Sequence, residues 1–347
     1  MVASIYQSGL TNLPMGELQK LVHQVGQTPM QALHLSVAGK THTVHLKLEG
    51  YNPTGSMKDR TGYSLIQHLE DRGLLSEGST IIESTSGNLG VALAFQCKAR
   101  GYRFIAVIDP KTTEENIAKM EALDASIEMV YEPDTSGGFL LSRLARVQEL
   151  CSQHQNYTWT DQYSSSANPH IHYSCTGPEV YQQMDEQVDA VFVPVSTGGT
   201  LSGIGRFFRE VSPATRIIGV DAHGSVIFGT PPAPRKLTGI GSSRRSHFIS
   251  ADLYDSHMLV HDEEAFAFCR ELYRATDIHV GGSSGASLAA CVRYLASHPE
   301  DTRVACVCAD SGRNYASSIY NDAWLQQHNI TLTAEHLGPL ESIAKAN

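Results

Sequence analysis

Short apolar runs alternate with helix-length amphipathic stretches from Met57 onward, and few architectures accommodate that alternation. The pattern predicts helix Met57–Arg72 closing at Gly73, strand Thr80–Glu83, helix Leu89–Arg100 closing at Gly101 and strand Arg103–Ile108. Helix Thr113–Leu123, strand Ser126–Met129 and helix Gly138–Gln153 follow. Strands separated by helices of about ten to fifteen residues need right-handed crossovers, and therefore build a mainly parallel sheet. A polar, Ser-rich segment at Thr158–Pro169 interrupts the rhythm and reads as a crossing between domains. A second series then gives strand Ala190–Val195, helix Thr200–Glu210, strand Arg216–Asp221, strand Met258–Val260, helices Asp262–Arg274 and Ser284–Ala296, and strand Arg303–Cys308. Upstream, strands Gln31–Leu35 and Val44–Leu48 form a hairpin across Ala38-Gly39-Lys40, after a helical lead-in over residues 1–25. The tail beyond Trp324 reads as peripheral. The expectation is an α/β chain of two domains, each with a mainly parallel sheet flanked by helices.

With 347 residues, 41% hydrophobic and 18% charged, the chain has the composition of an ordinary globular protein with room for two such domains. Its net charge of −10, with no Lys/Arg-rich stretch, argues against nucleic acid as a partner. No apolar run reaches membrane-spanning length and no basic-then-apolar leader opens the sequence, so a cytoplasmic location is expected. The seven cysteines have no framework spacing. Cys306 and Cys308 would share one face of a strand as buried thiols, and the pairs His42/His45 and His170/His172 lack carboxylate or cysteine company. No metal site is expected.

Chemistry concentrates where strands of such sheets run into helices. The stretch Asn52-Pro53-Thr54-Gly55-Ser56-Met57-Lys58-Asp59-Arg60 combines turn-forming residues with Ser56 as a helix cap, and it places Lys58 in the first helical turn. A lysine there meets the positive end of the helix dipole, which suits an amine used in its neutral form as a base or Schiff-base former. A surface lysine beside a turn is the plainer alternative. Glu83-Ser84-Thr85-Ser86-Gly87-Asn88 offers hydroxyls and amides at a helix entrance, suited to a carboxylate. Ser196-Thr197-Gly198-Gly199-Thr200 lets two glycines fold the backbone into an amide nest at another entrance, suited to a phosphate monoester. It has neither a Walker ending nor the dinucleotide fingerprint, which counts against a Rossmann oxidoreductase. Gly281-Gly282-Ser283-Ser284-Gly285-Ala286 permits close approach of a flat ring, with Ser283 able to donate or accept one hydrogen bond. A reactive lysine, a phosphate cup and a carboxylate loop together fit pyridoxal 5′-phosphate bearing an amino acid.

These residues, with Gly26-Gln27-Thr28-Pro29, Gln162 to Pro169 and Gly239-Ile240-Gly241, occur in the order seen in the cysteine synthase and cystathionine β-synthase family, which the chain resembles over roughly residues 20 to 325. The resemblance implies the tryptophan-synthase-β-like arrangement (fold type II), with a smaller mobile domain over 50–165, a larger one over 1–49 plus 166–335, and a tail over 336–347. It implies Lys58 as the residue carrying the cofactor and Asn88 at the ring hydroxyl. Ser196, Thr197, Gly198, Gly199 and Thr200 would take the phosphate, and Ser283 the pyridine nitrogen. Thr85, Ser86 and Gln162 would hold the substrate carboxylate, with Gly87 and Gly239 at hinge loops. Homodimers are usual in the family.

Leu89 after the asparagine, Ser196, Tyr163, the loop Ser242-Ser243-Arg244-Arg245 and the ending Asp310–Tyr315 with Tyr320–Trp324 are similar to the siderophore-pathway N-(2-amino-2-carboxyethyl)-L-glutamate synthases. That likeness implies a precursor of 2,3-diaminopropionate made from O-phospho-L-serine and L-glutamate by way of an aminoacrylate. Both substrates bring negative charge into an acidic protein, so Arg143, Arg244 and Arg245 are candidates to meet it. A cysteine or S-sulfocysteine synthase using O-acetylserine or O-phosphoserine is the alternative within the family. A non-catalytic regulator is the alternative outside it.

Overall fold

The computed structural model describes residues 10, 13–134 and 137–346. By contacts the chain divides into two compact units, Met1–Gly26 with Asn52–Asn168, and Gln27–Tyr51 with Pro169–Asn347. Most of the first dozen residues of the expected lead-in lie outside the described residues.

The second unit is built on a seven-stranded sheet. Strands β1 (Met30–Val37) and β2 (Lys40–Leu48) pair antiparallel, with Val37 opposite Lys40. Ala38 and Gly39 between them have φ of 50° and 80°, the two left-handed positions that a tight hairpin matching the strand twist requires. Naming the unit-one strands β3 (Thr80–Ser84), β4 (Arg103–Ile108), β5 (Ser126–Met129) and β6 (Tyr157–Trp159), the rest of the large sheet is β7 (Ala190–Pro194), β8 (Arg216–Ala222), β9 (Ser256–Val260), β10 (Arg303–Cys308) and β11 (Leu340–Lys345). The order is β11-β1-β2-β10-β7-β8-β9. β10 lies parallel to both β2 and β7, and β8 and β9 continue parallel. Every residue of β7 is buried, as expected of a strand covered on both faces. Cys306 and Cys308 are buried on β10, where burial pushes their thiols up.

Unit one carries the parallel sheet β5-β4-β3-β6. Its helices are α1 (Met15–Val22), α2 (Lys58–Asp71), α3 (Asn88–Arg100), α4 (Glu114–Glu121) and α5 (Leu140–Gln153). α3 is apolar nearly all round because it is buried nearly all round, with Leu93, Ala94 and Phe95 fully covered. Ile66, Ile81, Phe104 and Ile108 complete that core.

Two expected boundaries move. The lead-in was placed with the larger domain, but Leu18, Leu21 and Val22 form the buried stripe of α1 and join the core around α3 in unit one. The tail was read as peripheral, yet β11 extends the large sheet by pairing with β1, Leu35 opposite Ile343. Among the described residues no helix is long and apolar enough to cross a membrane.

Candidate active-site elements

In unit one, Lys58 is the first residue of α2. Ser56 was expected to cap that helix. Its hydroxyl accepts the Lys58 N–H at 3.2 Å, while Met57 takes the cap position without a side-chain bond. The turn before it is braced by its own side chains. Asp59 Oδ2 accepts from the Thr54 N–H and hydroxyl, both at 2.9 Å, and Asn52 Oδ1 accepts the Gly26 N–H at 2.9 Å. Lys58 keeps some accessible surface, yet desolvation of its amine lowers the pKa from 10.5 to about 8. At pH 7 about a tenth of the population is then neutral, against well under a thousandth for an ordinary lysine.

β3 runs out at Ser84 into Thr85-Ser86-Gly87, and Asn88 begins α3. The Thr85 N–H donates to the Val107 carbonyl at 3.1 Å, and Asn116 Nδ2 donates to the Ser86 carbonyl at 3.2 Å, so the turn is held from two sides. Gly87 is the helix cap and no side chain caps α3, which suits a first turn meant for an anion. Gln162 joins this turn. Its side-chain amide donates to the Ser84 carbonyl at 3.0 Å, and Tyr163, half-buried, follows it.

Glu83 organises these two segments, a role not read from the sequence. It is wholly buried at the end of β3. Oε2 accepts from the Thr160 hydroxyl at 2.5 Å and the Gln162 N–H at 3.0 Å, and Oε1 accepts from the Ser84 N–H at 2.8 Å and Trp159 Nε1 at 3.3 Å. Burial pushes its pKa up to about 7 even against those donors. The available signal was an acid closing an otherwise apolar strand directly before Ser84-Thr85-Ser86. Glu83→Gln would turn an N–H toward donors, and is expected to lower stability by about 1–3 kcal/mol. Substrate KM should rise more than kcat falls, measured by thermal unfolding beside steady-state kinetics.

Arg143, on α5, pairs with Asp109 at 3.3 Å, and both side chains are largely buried. Asp109 follows β4, the strand beside β3, so the guanidinium is anchored at the carboxyl end of this sheet.

In unit two, β7 ends at Pro194 and α6 (Gly199–Val211) begins after Ser196-Thr197-Gly198. Gly198 is the helix cap with φ of 89°, and a Cβ there would run into Ser246 and lie 2.8 Å from Ile249 Cγ1. Ser196 donates its hydroxyl to the Gly241 carbonyl at 3.2 Å, and the Gly241 N–H returns to Val195 at 2.7 Å. The Ser246 hydroxyl donates to the Thr197 carbonyl. The long irregular loop thus brings Gly239–Ser246 onto the turn. Ser283, buried, is the second residue of helix α8 (Gly282–Ser297), which follows α7 (Asp262–Thr276). The Gly281 N–H donates to the Asp310 carbonyl just past β10, setting Ser283 at the same sheet edge as Ser196. Arg244 is half-buried with its N–H on the Ser242 hydroxyl, whereas Arg245 is exposed and its guanidinium lies along Gly229.

A family model of pyridoxal-phosphate dependent enzymes matches residues 21–310. The chain belongs to that family. A hydrogen sulfide-producing enzyme from Fusobacterium nucleatum has a similar structure, with TM-score 0.79 and 28% identity over 85% of this chain and 98% of the other. O-ureido-L-serine synthase gives TM-score 0.78 and 28% identity over 88% and 98%. Another hydrogen sulfide-producing enzyme, solved with an α-aminoacrylate intermediate, shares the fold at TM-score 0.84 and 24% identity over 96% and 98%. The α/β fold is that of fold type II, and the cofactor is pyridoxal phosphate.

The residues present fit the cofactor. In unit two the helix after Gly198 starts without a side-chain cap, and the cradle there is one that a Cβ would fill. Lys58 supplies an amine already biased toward its neutral form.

Proposed function

We propose that this pyridoxal-phosphate dependent enzyme is a β-substituted-alanine synthase that replaces the phosphate of O-phospho-L-serine with the amine of L-glutamate. The product is N-(2-amino-2-carboxyethyl)-L-glutamate, and the reading places the enzyme in siderophore-type 2,3-diaminopropionate supply as a cytoplasmic homodimer. Bound cofactor supplies an electron sink for charge developing at the substrate Cα. In this reading the Ser196–Thr200 turn and Ser283 hold it, with Lys58 and Asn88. Thr85, Ser86 and Gln162 orient the substrate carboxylate. Lys58 Nζ takes the α-proton, the Cβ–O bond breaks as phosphate leaves, and the glutamate amine forms the new Cβ–N bond while losing a proton to solvent. Lys58 then returns a proton to Cα. A serine rather than a carboxylate at residue 283 favours elimination and replacement over transamination.

The observation that carries the choice of donor is Arg143, a largely buried guanidinium fixed by Asp109 at the carboxyl edge of the sheet bearing the Thr85 turn. A phosphate ester uses such a cation and an acetyl ester does not. Tyr163, Ser196, Arg244 and Arg245 are the remaining groups proposed to set the second substrate. The 28% identity to a hydrogen sulfide-producing enzyme favours a second reading, with a sulfur nucleophile and a cysteine or S-sulfocysteine product. Incubation with O-phosphoserine and either glutamate or sulfide, with product masses read out, separates the two; sulfide alone yielding product would sink the glutamate reading. Arg143→Ala is expected to raise KM for O-phosphoserine about 10- to 100-fold and to leave O-acetylserine turnover unchanged. Equal losses on both donors would remove Arg143 from phosphate recognition.

A further inference from the structure

Arg235 is a loop cation held from both sides. It follows Pro231-Pro232-Ala233-Pro234, a run in which three prolines fix the backbone φ. The Ala233 N–H donates to the Gly224 carbonyl at 3.2 Å. Directly after Arg235, the Asp262 carboxylate accepts the Lys236 and Leu237 N–H groups at 2.5 and 3.0 Å. The side chain is half-buried and fixed as firmly as the backbone. Nη1 donates to the same Gly224 carbonyl at 3.1 Å. The guanidinium lies against Gly241, where a Cβ would come 3.0 Å from Nε and 3.3 Å from Cζ. Gly241 in turn meets the end of β7, giving its N–H to the Val195 carbonyl and taking the Ser196 hydroxyl on its own carbonyl. Arg235 therefore stands against the glycine that Ser196 holds, at the carboxyl end of the large sheet, where such sheets collect ligands.

We propose that Arg235 is a specificity-determining residue that takes the side-chain carboxylate of the amino-acid nucleophile. This deepens the glutamate reading and rests on it. Among the described residues no carboxylate lies within ion-pair distance of this guanidinium, whose one hydrogen bond goes to the Gly224 carbonyl. Asp221, buried at the end of β8, feels the Arg235 charge only weakly. Burial dominates at that carboxyl and pushes its pKa up to about 6. A guanidinium carries five N–H donors in a planar fork, and with one spent on Gly224 enough remain for a two-point contact with a carboxylate. In a chain of net charge −10, a rigid cation without an acidic partner is set for an anion from solution. Sulfide brings no carboxylate. Glutamate brings two, and the one on its side chain lies away from the reacting amine. Because the backbone and guanidinium of Arg235 are already fixed, little ordering cost is left to offset that contact. Arg245, by comparison, is exposed.

The test follows holoenzyme turning over O-phosphoserine with either L-glutamate or L-glutamine, whose side chain has the same shape and no charge. Arg235→Gln is expected to raise KM for glutamate roughly 10- to 100-fold, the value of a charge-assisted hydrogen bond. KM for glutamine and for O-phosphoserine should stay in place, as should the affinity of the apoenzyme for pyridoxal phosphate read by absorbance titration. The preference for glutamate over glutamine then disappears. Arg235→Lys keeps the charge without the fork and should fall between the two. A wild-type enzyme that makes no product from glutamate removes the glutamate reading, and this proposal with it. Product from glutamate at an unchanged KM in Arg235→Gln overturns the proposal alone. Equal losses with both amines, or a loss of cofactor affinity, also overturn it, since Arg235 would then only brace the Gly241 turn. Should Arg235→Gln not fold, phenylglyoxal labelling of the wild-type holoenzyme decides, with Arg235 modification followed by peptide mass. Glutamate slowing that modification more than glutamine supports the contact, and equal rates overturn it.

Discussion

Lys58→Ala is expected to lose at least about a thousandfold in kcat/KM for β-replacement, together with the absorbance of lysine-bound cofactor. The amine has two assigned tasks, carrying the cofactor and moving the α-proton, and alanine performs neither. The turn that precedes it is braced by Asp59, Asn52 and Ser56 rather than by the amine, so the variant should keep its fold. That separation makes the result interpretable. A folded Lys58→Ala protein with wild-type turnover would end the reading of this chain as a lysine-dependent β-replacement enzyme. Stability should move the opposite way. Below about pH 8 the amine is protonated both folded and unfolded, and folding carries the cost of desolvating it. Between about 8 and 10.5 only the unfolded chain holds the proton, so stability rises with pH across that window and levels off above it. Lys58→Met apoprotein is therefore expected to be about 2 kcal/mol more stable than wild-type apoprotein at pH 7, a shift already discounted for the accessible part of the side chain. The gap should narrow as pH approaches 10.5. Calorimetry showing an equal or lower midpoint at pH 7 would contradict the lowered amine.

The elements legible in the sequence are those with a local signal. Helices such as Asn88–Arg100 and strands such as Arg103–Ile108 follow from apolar spacing and from a glycine closing the preceding turn. Elements defined by a partner were not legible. β6 has three residues in a polar stretch and exists because Tyr157, Thr158 and Trp159 pair with Thr80, Ile81 and Ile82. β11 buries only Ile343, and its identity comes from the edge of β1. The helical run 167–183 had no clear local signal either, since it passes through a π-helical turn at His172–Thr176 and carries Gly177-Pro178 near its end.

The same division applies to the site. Lys58 and Ser196–Thr200 announce themselves through turn chemistry at a strand end. Arg143 was visible as a cation but its anchor, Asp109, is remote in sequence, and only folding joins them. His170 and His172 stand two apart in the sequence without carboxylate or cysteine company. In the fold His170 is exposed, while the π-helical turn His172–Thr176 buries His172 between the hydroxyls of Thr176 and Thr200.

Gly198→Val is expected to weaken cofactor affinity at least about thirtyfold. Two independent costs fall on this position. The residue has φ of 89°, a region that a β-branched side chain resists by roughly 1–2 kcal/mol. The added carbons also collide with Ser246 and Ile249, typically another 1–3 kcal/mol. Ser246 cannot swing away cheaply, because its hydroxyl is tied to the Thr197 carbonyl. The variant turn will relax to another shape when no ligand holds it, and binding must then restore the strained one, so the cost appears as lost affinity. At 1.4 kcal/mol for each factor of ten, the summed range of about 2–5 kcal/mol corresponds to roughly thirtyfold at its lower end and several thousandfold at its upper end. Gly39→Val separates strain from site. Its φ of 80° is similar, no atom lies within 4 Å of the added carbon, and it belongs to the same unit. That variant should lose stability and keep its affinity for pyridoxal phosphate. Equal affinities for the Gly198→Val and wild-type apoenzymes, measured by absorbance titration, would place the phosphate somewhere other than this turn.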